Sequence, residues 1–379
     1  MDERQLARHC SMPKKKKENK SLINDVLNII NSIVGVPHVD NLDLKYMFAQ
    51  VFKEHSDEEI EECLTIGVTK NIQGIENVET DYPQPWLFSR ALLGSGILYG
   101  VFLFGWLNFE NIYLVPGLII IGSFAIPLAT LVFFFELNIR KNISLYQVAK
   151  LFFLGGGLAI LSSLYLFSVV DNLETDILGA SIAGLIEEPG KLFALVLVIN
   201  KKRYPYILNG LLFGAAIGAG FAAFESAGYA FSIFLSTFYT SLQEQYFDFQ
   251  LVSRAMLENL TIRGLLAPFS HIVWTSISAA AIWKIKASAK FRWSMLNHGI
   301  FIKVFLASVL FHMLWNSPFR LFEVDFATQI AIGIFGWSIV FGMVNEGLVQ
   351  VKKIKNPRAA YLRNKQRREE IAKRKKDKQ

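Results

Sequence analysis

Residues 207–234 read ILNGLLFGAAIGAGFAAFESAGYAFSIF, an apolar run in which Glu225 is the single charged side chain. Its length and low charge are typical of a helix that crosses a bilayer, for which about 20 apolar residues suffice. Comparable runs fill most of the chain from Leu87 to Leu348, and 52% of all residues are hydrophobic. The sequence therefore predicts an all-α fold, a polytopic membrane helix bundle of about eight transmembrane helices.

Polar segments flank the apolar region at both ends and divide the chain into three parts. We expect a small helical N-terminal cytosolic segment at 1–85, a transmembrane domain at 86–350 and a basic cytosolic tail at 351–379. The apolar runs place the spans at 88–108, 112–135, 147–170, 177–199, 207–234, 264–284, 299–317 and 327–349.

The N-terminal segment shows helical spacing but no catalytic constellation. We expect helices at 21–36, 42–54 and 57–67, and Ser56 with Glu59 resembles a capping box that opens the third of them. The two cysteines of this segment show neither metal-ligand spacing nor a disulfide framework. An interaction role and a passive extension both stay open for the segment.

Basic and acidic residues alternate between successive loops. Lysine and arginine cluster at 140–150, 201–203 and 284–292, whereas the alternate loops are mainly acidic. Because cytoplasmic loops carry an excess of lysine and arginine, we expect an integral protein of the cell (plasma) membrane with both termini cytoplasmic. The net charge of +7 is then a topology signal that contacts the lipid bilayer, and it does not indicate a nucleic-acid partner.

Polar and ionisable side chains interrupt four of the predicted spans. An ionised group at bilayer depth costs about 2.5–3.5 kcal/mol on insertion scales, so a set of them is expected to act together. Carboxylates and imidazoles that converge in a protein-lined cavity indicate chemistry on water, a proton or a metal. The candidate residues are Glu187, Glu188, Lys191, Glu225, His271, His312 and Asn316.

The fourth span carries two adjacent carboxylates. Glu187 and Glu188 cannot both ionise cheaply in a medium of low dielectric constant. Lys191 follows Glu187 by one helical turn, which is the favourable order for an ion pair at i and i+4. We therefore expect one glutamate to be held by the lysine and the other to be left as a base. Pro189 removes a backbone donor, and with Gly190 it is expected to bend or loosen this helix.

A stripe of small residues follows one face of the fifth span, and it would let a neighbouring helix approach closely. Such packing could bring Glu225 near the fourth span. The stripe consists of Gly210, Gly214, Gly218, Ala222, Ser226 and Ala230.

The sixth and seventh spans share a pattern of histidine, tryptophan at i+3 and a polar residue at i+4. His271 is followed by Thr275 and His312 by Asn316, so each span presents an imidazole and a polar group on one face. Counted from the external ends of their spans, these histidines and the glutamates all fall in the outer half of the bilayer. We therefore expect one site that opens toward the external face. A long external loop at 236–263 is expected to cover the site or receive substrate, or to be an ordinary interfacial loop.

These motifs resemble the PrsW family of intramembrane proteases, relatives of the CAAX prenyl endopeptidases. The resemblance rests on Glu-Glu-x-x-Lys at 187–191, Phe-x-x-x-Glu at 221–225, His271, and His-x-x-Trp-Asn at 312–316, and it covers about residues 175–320. It implies an intramembrane endopeptidase of glutamic type that cleaves a membrane-anchored protein near the external face. The family's best-known substrate is a membrane-spanning anti-sigma factor.

The resemblance also implies roles for the polar residues. Glu187 or Glu188 acts as the general base that activates water for attack on a peptide carbonyl. The other groups bind that water, donate to the oxyanion, share a proton or hold a carboxylate ionised. With the two glutamates, the predicted catalytic residues are therefore Glu225, His271, His312 and Asn316, and Lys191 is a supporting residue.

Three other interpretations use the same residues differently. A zinc-dependent protease would employ the glutamates and histidines as ligands, although no His-Glu-x-x-His motif is present. A non-catalytic scaffold or partner protein of the same fold would tolerate replacement of the glutamates. A proton-coupled transporter is the third alternative. We expect no cofactor and assign no metal, with zinc kept open.

Overall fold

The computed structural model describes residues 22–39, 42–56, 59, 64, 67, 72, 74–170, 179–199, 204–243, 249–321 and 326–357. Within these residues the chain is helical and contains no β-strand. The prediction of an all-α membrane bundle is confirmed, because seven helical segments in the described part of the chain are long and apolar enough to cross a membrane. These are Leu87–Phe109, Ile112–Leu137, Leu145–Val170, Ile207–Gln243, Val252–Lys286, Gly299–Asn316 and Ala327–Lys355.

We number the helices in chain order. They are α1 Leu22–Val34, α2 Leu44–Met47, α3 Leu87–Phe109, α4 Val115–Leu137, α5 Leu145–Lys150, α6 Gly156–Val170, α7 Ile182–Ile199, α8 Ile207–Gln243, α9 Phe249–Leu266, α10 His271–Lys286, α11 Gly299–Asn316 and α12 Ala327–Lys355. A π-helical turn at Leu151–Gly155 joins α5 to α6, and a 3₁₀ turn at Ala267–Phe269 joins α9 to α10.

Helix α7 corresponds to the fourth predicted span and differs in composition from the seven apolar segments. Its 18 residues include Glu187, Glu188 and Lys191. Pro189 lies inside the helix and does not end it. At Gly190 an added Cβ would lie 2.6 Å from the Ser163 hydroxyl, so this glycine allows α6 to pack closely against α7.

The predicted small-residue stripe is the surface along which α8 and α10 pack, and this is the most extensive helix pair of the bundle. A Cβ added at Gly214 would lie 2.4 Å from the Thr275 carbonyl oxygen, and one at Gly218 would lie 2.5 Å from the His271 carbonyl oxygen. Glycine is therefore required for the observed separation of the two backbones. The helix that packs closely against the stripe is α10 rather than α7.

The prediction of a long external loop at 236–263 is wrong. Helix α8 continues to Gln243, and α9 begins at Phe249, so helical structure occupies most of that segment. An apolar cluster that includes Phe234, Met256 and Leu260 buries the facing surfaces of these two helices. This burial favours helix over loop, because it covers apolar side chains that recur with helical spacing.

The sixth predicted span is broken rather than continuous. Pro268 lies in the turn at Ala267–Phe269, so α9 ends at Leu266 and a new helix begins at His271. Proline cannot donate the backbone hydrogen bond that would continue α9, which accounts for the interruption. His271 consequently occupies the first turn of α10 instead of a mid-helix position.

The N-terminal segment agrees with the prediction in part. Helix α1 matches the first predicted helix, whereas the second is a single turn at Leu44–Met47. Phe48 follows this turn and packs on the rings of Phe88 and Phe133. The capping box is present, because the backbone N–H groups of Ser56 and Glu59 each donate to the other's side chain at 3.3 Å. Most of the third predicted helix lies outside the described residues.

Candidate active site

A cavity of about 460 Å³ lies among α7, α8, α10 and α11. It also touches residues at the end of α6 and at the starts of α7 and α12, so it is at the end of the bundle opposite the start of α8. The cavity residues therefore share one level of the bundle, as the sequence predicts. Five of the seven predicted residues line the cavity: Glu187, Glu225, His271, His312 and Asn316.

Lys191 is the buried cation of the site. Its Nζ lies 2.8 Å from a Glu188 oxygen and 3.5 Å from a Glu187 oxygen. The closer pair is therefore the one at i and i+3, and not the predicted pair at i and i+4. The ammonium also lies 4.1 Å from the centre of the Phe221 ring, a favourable cation–π distance. The cation is thus held by four groups, the fourth of which is His271.

His271 connects α10 to both α7 and α8. Its Nδ1 lies 2.8 Å from Lys191 Nζ, and its Nε2 lies 3.0 Å from a Glu225 carboxylate oxygen. An ammonium only donates hydrogen bonds and a carboxylate only accepts them. The two contacts are therefore consistent with a neutral ring that accepts at Nδ1 and donates from Nε2.

His312 distinguishes the two adjacent glutamates. Its Nδ1 lies 3.0 Å from Glu188, whereas its Nε2 lies 3.7 Å from Glu187. With Nδ1 donating to Glu188, the free electron pair of Nε2 points to the side of Glu187. Glu188 is buried by its two partners and does not line the cavity, while Glu187 does. Trp274 stacks on the His312 ring at 4.7 Å and limits its rotation.

Glycines bring the relevant helices close enough for these contacts. A Cβ added at Gly184 would lie 2.7 Å from the Met313 backbone nitrogen, so α11 approaches α7 beside His312. A Cβ added at Gly220 would meet the Phe152 carbonyl, so the π-helical turn approaches α8 beside Phe221. Turns of this type occur frequently at functional sites.

Arg263 belongs to the site but was assigned to a loop end in the sequence interpretation. Its guanidinium donates to Glu225 at 2.6 Å and to the Ser226 hydroxyl at 3.0 Å, and it lies 4.5 Å from the Tyr229 ring centre. The side chain lines the cavity. The signal in the sequence was an arginine two helical turns before His271 in an otherwise apolar stretch.

Two polar residues of the repeated histidine pattern have different positions. Asn316 lines the cavity at the end of α11, one turn after His312. Thr275 is buried away from the cavity, and its hydroxyl has no hydrogen-bond partner among the described residues. The resemblance between the two spans therefore does not extend to the function of this third position.

Glu187, His271 and His312 each offer one atom within 4.8 Å of the others, which is a grouping that could hold a metal ion. Two imidazoles and one carboxylate form a known set of ligands for catalytic zinc. In the present arrangement, however, Lys191 and Glu225 engage both ring nitrogens of His271. The residue types match a metal site, but His271 has no free nitrogen as placed, so a metal bound there would have to replace one of its two partners.

The comparison with known sequences agrees with this geometry. The family described as PrsW family intramembrane metalloprotease matches residues 144–344, a range that contains every residue of the cavity cluster described above. No curated protein and no solved structure matches the chain. The bundle is apolar and helical, it holds this buried polar cluster, and the family matches more than half of the chain. The chain therefore belongs to the PrsW family of intramembrane proteases.

Proposed function

We propose that the protein hydrolyses a peptide bond of a membrane-anchored protein near the external face, with Glu187 as the base that activates water. This assignment rests on the different surroundings of the two adjacent glutamates. Glu188 is engaged by Lys191 and His312, whereas Glu187 lines the cavity at longer distances from both partners. A base must be able to reach water and substrate, and Glu187 meets that requirement.

The reaction begins with a water molecule beside Glu187 and His312. Their facing oxygen and Nε2 atoms are 3.7 Å apart, a spacing at which one water can contact both. Glu187 takes a proton from this water as the water oxygen attacks the peptide carbonyl carbon. The carbon–nitrogen bond then breaks as Glu187 returns the proton to the departing amine.

The negative charge that develops on the carbonyl oxygen needs donors in the same cavity. Asn316 offers a carboxamide N–H that lines the cavity one turn from His312. Donors aimed at developing charge in a site of low dielectric constant commonly supply several kcal/mol of transition-state stabilisation.

The remaining polar groups act as positioning residues. Arg263 holds Glu225, Glu225 orients His271, and Lys191 closes the chain to Glu188 on α7. Within this network Glu225 and Glu188 each face a cation, so the buried charges compensate one another. This network keeps α7, α8 and α10 in register around the cavity.

A metal-dependent protease of the same substrate class is the second candidate. The grouping of Glu187, His271 and His312 within 4.8 Å favours it, as does the description of the family. Metal binding would require His271 to release Lys191 or Glu225. Metal analysis of the purified protein, together with activity after chelation and zinc addition, tests this candidate. One equivalent of zinc, with activity lost on chelation and restored by zinc, would establish it over the glutamate mechanism.

The substrate class follows from where the cavity lies. It is at the end of the bundle away from the Lys284–Glu346 ion pair, which belongs to the basic, cytoplasmic side in our topology. With both termini cytoplasmic in the plasma membrane, the site would reach a single-span protein just outside the bilayer. A membrane-spanning anti-sigma factor is a substrate of this kind.

The first experiment compares the N-termini of membrane proteins in cells that carry wild type, Glu187→Gln or Glu188→Gln. We expect new fragments, cut just outside a single-span protein, with wild type but not with Glu187→Gln. Glu258→Gln is the matched control, because this exposed carboxylate pairs with Arg254 and does not line the cavity. Identical fragment sets for wild type, Glu187→Gln and Glu188→Gln, with all three proteins stably inserted, would favour the non-catalytic scaffold.

A further inference from the structure

The N-terminal helix packs against the membrane-spanning part of the bundle. The Ser338 hydroxyl on α12 contacts both the Leu27 carbonyl oxygen at 3.0 Å and the Asn31 side-chain oxygen at 3.1 Å. Further along α12, a Cβ added at Gly342 would lie 2.5 Å from Val36. Helix α1 and the residues that follow it therefore pack directly against α12 from Ser338 onward.

The contacted part of α12 belongs to an apolar span. Residues 327–344 contain no charged side chain, and the first one after them is Glu346. Ser338 lies about 16 Å from the start of α12 and about 12 Å from Glu346, at 1.5 Å per residue. A segment packed against Ser338 is consequently at bilayer depth.

The residues after α1 are non-helical, yet side chains satisfy their backbone. Asn28 exchanges hydrogen bonds with the N–H and carbonyl groups of Val39, and Asn31 and Asn24 donate to the carbonyls of Pro37 and Leu42. The three asparagines share one face of α1. Non-helical backbone is tolerated at membrane depth only where such partners replace water.

The opposite face of α1 is apolar and exposed. Val26, Ile29 and Ile33 are 45%, 63% and 74% exposed, whereas Leu27 and Ile30 are buried. An exposed apolar stripe at this depth is complementary to lipid acyl chains.

We propose that α1 and the return segment 36–39, which we call the N-terminal hairpin, are embedded in the leaflet that faces the basic loops. The stripe of Val26, Ile29 and Ile33 contacts acyl chains. The partner is thus the apolar interior of the lipid bilayer. This inference concerns the N-terminal segment alone and does not depend on the proposed protease activity.

Fluorescence quenching in vesicles tests the placement of the hairpin. The full chain, with Cys10→Ser and Cys63→Ser, receives an environment-sensitive fluorophore on Ile33→Cys, or on Glu79→Cys as the control. The protein is reconstituted in vesicles of phosphatidylcholine and phosphatidylglycerol, with or without brominated acyl chains. We expect bromination to lower emission at position 33 at least twofold and to leave position 79, an exposed site, nearly unchanged.

Two outcomes would overturn the proposal. Equal quenching at both positions, with water-like emission at 33, would place the hairpin outside the bilayer. Efficient disulfide cross-linking between two Ile33→Cys chains would show that a second copy covers the stripe.

Discussion

Replacing Gly218 by alanine tests whether the position of His271 controls the reaction. The added Cβ would lie 2.5 Å from the His271 carbonyl oxygen and 2.9 Å from the Ile272 Cα. Ordinary contact begins at 3.4 Å, so the closest approach is too short by about 0.9 Å. Both atoms belong to the backbone of α10, and no side-chain rotation can relieve the overlap. The start of α10 must therefore move away from α8.

The size of this movement can be compared with the contacts of His271. A displacement of about 0.9 Å would lengthen the distances to Lys191 and Glu225 from 2.8 and 3.0 Å to as much as about 3.7 and 3.9 Å. Neither would then be a hydrogen bond. A misplacement of about 1 Å can cost about 10²-fold in rate even when the mutation is remote from the reacting atoms, so we expect cleavage by Gly218→Ala to fall by about that factor.

The assay is the yield of wild-type-dependent fragments in cells that contain equal amounts of each variant. Gly228→Ala is the control, because it makes the same substitution in the same helix with no atom within 4 Å of the new Cβ. It should retain full cleavage and gain up to about 1 kcal/mol of helix stability. If Gly218→Ala is folded and cleaves at more than half the wild-type rate, the position of His271 does not control catalysis.

Three further substitutions examine the polar groups singly. Lys191→Met leaves Glu188 buried without its cation and should lower the free energy of unfolding by about 3–5 kcal/mol; an unchanged thermal midpoint would contradict the buried ion pair. Arg263→Gln removes a charged partner of Glu225 and should lower the cleavage rate about tenfold, with substrate affinity little changed. Arg263→Lys should restore part of that rate. Equal rates for wild type and both variants would exclude a positioning role for Arg263. Asn209→Ala breaks a buried cluster of side-chain amides far from the cavity. It should lower the free energy of unfolding in denaturant by about 1–3 kcal/mol without lowering cleavage at permissive temperature. Loss of cleavage in a folded protein would contradict a purely structural role.

Much of the site could be predicted because its residues are conspicuous in their setting. Ionisable groups are costly in an apolar span, so Glu225 or His271 stands out from its neighbours without any knowledge of the fold. Arg263 escaped notice for the opposite reason. It lies near a predicted span boundary, where a cation usually extends to the membrane surface, and only its contact with Glu225 assigns it to the cavity.

The N-terminal segment shows a similar limit. We predicted a cytosolic helix at this place and gave no role to the asparagines at 24, 28 and 31. In the structure these side chains satisfy the return segment, and the apolar residues Leu27, Val36 and Val39 join the main hydrophobic cluster. The division at residue 85 stays a prediction, and the described contacts cross it.

The sequence by itself determined the helical membrane bundle, because apolar length and charge act locally and need no partner. It also identified the polar residues that the structure brings together, Arg263 excepted, and the face of α8 on which glycines allow close packing. Only the tertiary structure decided that Glu188 is held while Glu187 faces the cavity. The two residues are adjacent and identical in type, and their difference arises entirely from His312 on another helix and from the reach of Lys191.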